Sequence, residues 1–199
     1  MTAHPTAAHT PKAAPLPRSR LRARLVLAGF AAVGLAALAW AAFVQPLPRL
    51  IYNPSDSVPV GWYRVDPQRH DTGSLPRLLS VGSIVLTTLP PDVAALAAQR
   101  RYLPVHVPLL KRVGAVAPQH VCIVAGQVRI DGEPVAAALP ADRLGRPLPF
   151  LQLCRRLEAG ELFLLSVTNP ASFDSRYFGP VSASAVIGVA HPVWTETRP

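Results

Sequence analysis

Twenty consecutive residues without a charge, Leu25 to Val44 (LVLAGFAAVGLAALAWAAFV), constrain this chain more than any other stretch of it. At about 1.5 Å per residue, a helix of that length covers roughly 30 Å, the hydrocarbon thickness of a bilayer. A core helix of a soluble domain keeps a polar stripe over such a distance, and this run has none. A cleaved signal peptide is the nearer rival, because basic residues precede the run. Its apolar region is normally about 7–15 residues, so the longer run predicts an uncleaved anchor over 25–44, seated in lipid. Arg18, Arg20, Arg22 and Arg24 stand before it and only Arg49 stands close after it. Positive charge collects on the cytoplasmic side of a membrane span. The expected topology is therefore single-pass in the inner membrane, with the N-terminus cytoplasmic and residues 46–199 in the periplasm.

Residues 1–24 read as a disordered basic tail, since 1–17 hold proline, threonine and alanine without periodicity. The net charge of +9 is concentrated here: five basic residues precede position 25, where there is no acid, while the remainder carries 15 basic and 11 acidic residues. Such a local block is not a basic face for nucleic acid, and no nucleic-acid partner is expected. Two cysteines exclude a disulfide-dense miniprotein, a four-cysteine zinc site and an iron–sulfur cluster. No spacing such as H-E-x-x-H appears, so neither metal nor cofactor is expected.

Beyond Pro46 the hydrophobic pattern shortens. Residues 83–88, 107–116, 120–124, 127–130, 161–167 and 185–190 are β-compatible runs, separated by the turn signals Ala125-Gly126, Asp131-Gly132 and Asn169-Pro170. One helix is expected over 92–102, with Asp92 as its N-cap. The 23 prolines, about 12% against the usual 5%, disfavour long helices elsewhere. The expectation is a mostly β domain with one short helix and an excursion from the sheet over 134–153. Cys122 and Cys154 both fall on the oxidising side of the predicted topology. A bridge between them and a pair of buried thiols are both open readings.

Two segments are over-specified for packing. The loop Asn53-Pro54-Ser55-Asp56-Ser57-Val58-Pro59 holds two serines stiffened by proline; a plain serine-rich turn would look the same. The second is Leu109-Leu110-Lys111-Arg112-Val113. The outer domain has one lysine, Lys111, against fourteen arginines. Arginine stays protonated, whereas a desolvated lysine can release its proton and act as a base. A snorkelling surface lysine beside Arg112 is the bland alternative. Taken together, the segments suggest a serine nucleophile activated by a neutral lysine. His70, His106 and His120 look like loop or strand-end residues.

These residues carry a family resemblance. Ser55-x-Ser57-x-Pro59-x-Gly61-x-Tyr63, then Tyr102-Leu103-Pro104 with Pro108-Leu109-Leu110-Lys111-Arg112-Val113, then Ser172-Phe173-Asp174-Ser175-Arg176-Tyr177-Phe178-Gly179-Pro180 and Ala185-Val186-Ile187-Gly188 resemble the boxes of type I signal peptidases. More closely they resemble the conjugative transfer signal peptidases of TraF type. The resemblance implies a signal-peptidase-like β domain, Ser57 as nucleophile and Lys111 as general base. It further implies an oxyanion hole from the Ser57 N–H and the Ser55 hydroxyl, Ser172 orienting the lysine, and Asp174 with Arg176 as a structural ion pair beneath the site. Read without it, that pair is equally a surface salt bridge. The chain departs from the leader peptidases at Val58, at Gly114 to His120 and at Asn169-Pro170-Ala171, which favours the conjugative branch.

The function so implied is an anchored serine endopeptidase acting on membrane-linked precursors close to the bilayer, Ser57 lying thirteen residues after Val44. By resemblance the partner is a propilin or another mating-pore protein, released in linear or cyclised form. The rivals are a non-catalytic anchored scaffold of a secretion or mating apparatus and a general leader peptidase.

Overall fold

The computed structural model describes residues 18–43, 50–67 and 79–196. It divides into two units, residues 1–46 and 47–199. In the first, helix α1 (Arg18–Phe43) begins seven residues before the apolar run. Arginine, leucine and alanine are good helix formers, so the expected disordered tail gives way to helix from Arg18 onward. Residues 1–17 lie outside the described residues. The stretch Arg20–Trp40 has a mean hydropathy of 1.8 and is long and apolar enough to cross a membrane, as an anchor or a signal sequence would be. Leu27, Phe30, Leu38 and Trp40 are exposed around it, and no charged residue falls between Leu25 and Trp40.

The second unit is mostly β. Its strands are β1 (Leu50–Asn53), β2 (Gly61–Pro67), β3 (Ile84–Thr87), β4 (Leu109–Val116), β5 (His120–Val124), β6 (Gln127–Ile130), β7 (Glu133–Ala137), β8 (Leu153–Arg156), β9 (Glu161–Leu164), β10 (Val181–Ser182) and β11 (Val186–Thr195). They form two antiparallel sheets, ordered β1-β2-β11-β3-β4-β9-β10 and β7-β6-β5-β8. Two short helices accompany them, α2 (Pro91–Gln99) and α3 (Ser175–Phe178). Ala125-Gly126 and Asp131-Gly132 all take positive φ, between 49° and 88°. That backbone matches the right-handed twist of the strands they join, which makes these pairs hairpin turns.

Strand β4 positions the site, because three hydrophobic clusters grip it. Leu110 packs with Val58, Tyr63, Val65 and Leu86; Val113 with Val85, Leu162, Leu164 and Val186; Ala115 with Val121, Ile123, Val128 and Phe163. Burying each larger aliphatic side chain stabilises by about 1.5–3 kcal/mol, and slippage of β4 by one residue would turn all three positions the wrong way. Gly61 lets β2 lie against β11: its φ is 148°, and a Cβ there would meet the Trp194 carbonyl at 2.1 Å.

Three expectations change. Helix α2 starts at Pro91, with Pro90 as N-cap and no side-chain cap bond, and stops at Gln99. Asp92 is thus a first-turn acid, favourable to the helix dipole, and not the N-cap. Its end is set by Arg100 as C-cap and Arg101 at a φ of 60°. The excursion is shorter than 134–153, since Glu133–Ala137 pairs with β6 and Leu153 already pairs with Ile123. Pro134 is tolerated because β7 is an edge strand. Strands β1, β2, β7, β8 and β10 and helix α3 add elements that periodicity does not announce. Cys122 and Cys154 stand directly opposite in the β5 and β8 pairing and are joined by a disulfide.

Candidate active site

The loop after β1 is built by Asn53. Its Oδ1 accepts from the Ser55 N–H at 3.1 Å and the Ser55 hydroxyl at 2.8 Å, and its Nδ2 donates to the carbonyls of Ser55, Val58 and Pro59 at 2.8, 3.1 and 3.1 Å. An asparagine that bonds the backbone two residues on is an Asx turn, which offers the chain an alternative to extending β1. Asn53 is buried, and Tyr63 pins the far side of the loop by donating from its hydroxyl to the Pro59 carbonyl at 2.5 Å. Burial pushes the Tyr63 phenol up, against a smaller opposing pull from Arg112. Val58 anchors the loop in the core. Ser57 is left half-exposed between these fixed points.

Lys111 comes to this loop from the middle of β4. It is 2% exposed, with Val85 directly opposite on β3 and Val113 two residues on, both fully buried. Its Nζ donates to Ser57 Oγ at 2.5 Å and to Ser172 Oγ at 2.5 Å. Burial pushes the Lys111 ammonium down from 10.5 to about 8; Asp174 opposes this and Arg176 reinforces it. At pH 7 about a tenth of such a lysine is neutral, against roughly one in a few thousand for an unperturbed one. Arg112, its neighbour, instead donates to the Gly82 carbonyl at 2.7 Å from the solvent side of the strand.

Ser172 is buried, its N–H donating to the Asn169 carbonyl at 3.1 Å and its own carbonyl accepting from Arg176. Asp174 and Arg176 are 0% and 1% exposed and meet through two contacts, Nε to Oδ1 at 2.8 Å and Nη2 to Oδ2 at 2.9 Å. Arg176 also donates to the carbonyls of Ala137, Ser166, Asn169 and Pro170. Asp174 accepts from the Ser166 N–H at 3.0 Å and caps α3. The pair is therefore a buried knot that holds the loop carrying Ser172, where a surface bridge would do no such positioning.

Two cavities meet at Ser57. One of about 970 Å³ is lined by the serine loop, Leu86, the segment after α2, β4 from Leu109 to Lys111, Ser172 and part of the excursion. A second of about 270 Å³ lies along Val58 to Val60 and Ser166 to Thr168. A hydroxyl beside a buried amine, open to clefts on two sides, can attack a bond in a chain passing across it.

A model of the family "Signal peptidase, peptidase S26" matches residues 22–195. The chain belongs to the signal peptidase S26 family. A plasmid transfer protein TraF of Escherichia coli is 35% identical over 187 residues, covering 88% of this chain and 96% of that protein. A conjugal transfer protein TraF of Agrobacterium tumefaciens is 34% identical over 182 residues, covering 87% and 96%. A probable conjugal transfer protein TraF of Sinorhizobium fredii is 32% identical over 173 residues, covering 83% and 84%. Among solved structures, a signal peptidase I of Enterococcus faecalis aligns over 55% of this chain and 94% of its own, at 21% identity and a TM-score of 0.33.

In this S26 chain the structure brings Ser57, Lys111 and Ser172 into one hydrogen-bonded row, with Asp174 and Arg176 behind Ser172. Ser55 stands apart: it is exposed, and its hydroxyl is bonded to Asn53. The described histidines lie elsewhere. His106 is exposed, His120 Nδ1 is 3.8 Å from Cys122 Sγ, and His191 faces Asp66; His70 lies outside the described residues. In the sequence Asn53 stands out only as the start of a loop. The signal that marks its role is local: an Asn followed two residues later by a serine, with proline between.

Proposed function

We propose that this S26 family member is a membrane-anchored serine endopeptidase in which Ser57 is the nucleophile and Lys111 the general base. The reading rests on one contact, the 2.5 Å bond between the buried Lys111 amine and the Ser57 hydroxyl. The Ser57 Oγ attacks the scissile carbonyl carbon while its proton passes to neutral Lys111. The tetrahedral intermediate collapses with cleavage of the C–N bond, and Lys111 returns the proton to the leaving amine. Water, its proton taken by Lys111, then hydrolyses the ester. The substrate's own N-terminal amine in place of water would yield a cyclic product. Ser172 holds the Lys111 amine toward Ser57 from its other side. The Ser57 N–H supplies one oxyanion donor, and a turn of the Ser55 hydroxyl away from Asn53 would supply the second.

The arginines at 18–24, ahead of the apolar run, and the relatives support the topology and the substrate class. The N-terminus is cytoplasmic, the catalytic unit is periplasmic, and the chain is held in the inner membrane through 25–44. Because the relatives are plasmid and conjugal transfer proteins, the substrate is a membrane-linked precursor of a mating apparatus such as a propilin. The test is Ser57→Ala in cells that make the precursor: the unprocessed form accumulates. A scaffold would work unchanged with that alanine, and a general leader peptidase would rescue cells depleted of their own.

A further inference from the structure

The larger cavity at Ser57 carries an excess of positive charge that the reaction does not use. Five basic and two acidic side chains line it. Lys111 belongs to the dyad. Arg146 is neutralised by Asp142 at 2.7 Å and lies over the Tyr102 ring. Asp142 also accepts from the Tyr102 hydroxyl, so this carboxylate is committed to holding the excursion against the end of α2. Arg100, Arg101 and Arg143 remain. Among the described residues none of the three forms an ion pair.

Arg100 carries the point furthest. Arg100 lines the cavity, and its Nη1 is buried and finds no hydrogen-bond acceptor among the described residues. A buried guanidinium N–H without an acceptor is costly and is seldom left so. Arg101, next to it on the same wall, takes a φ of 60°. At the end of a helix that conformation usually falls to glycine or asparagine, so a long charged side chain is kept there against its backbone preference. Basic residues after α2 would also suit the negative end of the helix dipole. That role asks for charge near the last carbonyls. It does not account for a buried N–H left without an acceptor on a residue that lines the cleft shared with the nucleophile.

We propose that Arg100, flanked by Arg101 and Arg143, forms an anion subsite that takes a carboxylate of the substrate near the scissile bond. The subsite rests on the peptidase reading for its purpose, but its binding can be measured without turnover. The carboxylate has two possible sources, an acidic side chain or the substrate's C-terminus.

Three alanine-rich nine-residue peptides serve as probes on the full-length Ser57→Ala chain in detergent, with Kd read by calorimetry. One has blocked ends and a central Gln, one has blocked ends and a central Glu, and one has the Gln with a free C-terminal carboxylate. We expect one carboxylate peptide to bind about tenfold or more tightly than the neutral one, since hydrogen bonds to charged groups are the stronger kind. The preference should weaken as salt is raised. In Arg100→Gln the ratio of the two Kd values collapses toward one, and in Arg143→Gln it shrinks. The Glu peptide assigns the group to a side chain, and the free-ended peptide assigns it to the C-terminus. Equal affinity for all three, no binding of any, or a preference that survives Arg100→Gln would each overturn the subsite. Cleavage of precursor by the Ser57 chain is scored separately, so loss of the subsite leaves the peptidase reading standing, and the reverse.

Discussion

In the proposed mechanism the chemistry turns on Lys111, because the same burial that makes it a poor cation makes it a usable base. Desolvation is the largest influence on it and lowers its pKa to about 8. The neutral amine is the active form, so activity should fall as pH drops below that value and level off above it. A kcat/KM profile with a single ascending limb centred near 8 is expected for precursor cleavage. A profile flat from pH 6 to 9 would show that no group with this titration takes the proton. Ser57 needs no special acidity of its own. The Asn53 turn and the Tyr63 bond hold its backbone, and Lys111 meets it there.

At the scale of elements, the site depends on β4 being locked in register and on the loop before α3 being knotted by Arg176. A buried charge deprived of its partner is strongly destabilising. Asp174→Asn, which leaves the Arg176 guanidinium buried without its carboxylate, should lower stability by about 3–5 kcal/mol in chemical denaturation. A loss below about 1 kcal/mol would match an exposed pair and contradict the knot. This element also shows what the linear chain discloses. The Asp-x-Arg spacing is visible, but its burial is not, because burial comes from the carbonyls of Ala137, Ser166, Asn169 and Pro170 converging from other segments. The lone lysine in an apolar run and the stiff serine loop are legible from residue type alone, since both are chemically unusual where they stand. Strands at 84–87, 109–116, 120–124 and 127–130 are legible for the same reason, as short apolar runs between turn residues. Strands β7 and β8 are not: β7 begins Glu133-Pro134 and β8 ends in two arginines, edge-strand compositions that read as loop. The wall formed by Tyr102, Asp142 and Arg146 joins positions forty residues apart and leaves no local trace.

For the whole molecule, the proposed reading gives the apolar helix and the mostly β unit two different solvents, lipid and water. The arginines at 18–24 predict the direction of crossing, and a reporter enzyme active only in the periplasm, fused to the C-terminus, should be active; a reporter active only in the cytoplasm would invert the topology. On the proposed reading a tethered peptidase meets its precursors at the membrane surface, and its turnover depends on the bond between the Lys111 amine and the Ser57 hydroxyl. Lys111→Arg tests that bond most directly, because it keeps the charge and comparable length but supplies a group that does not give up its proton. In the purified full-length chain, precursor cleavage should fall by at least the 10²–10⁴ that a general base contributes. Cleavage at the wild-type rate in that variant would remove Lys111 from the mechanism.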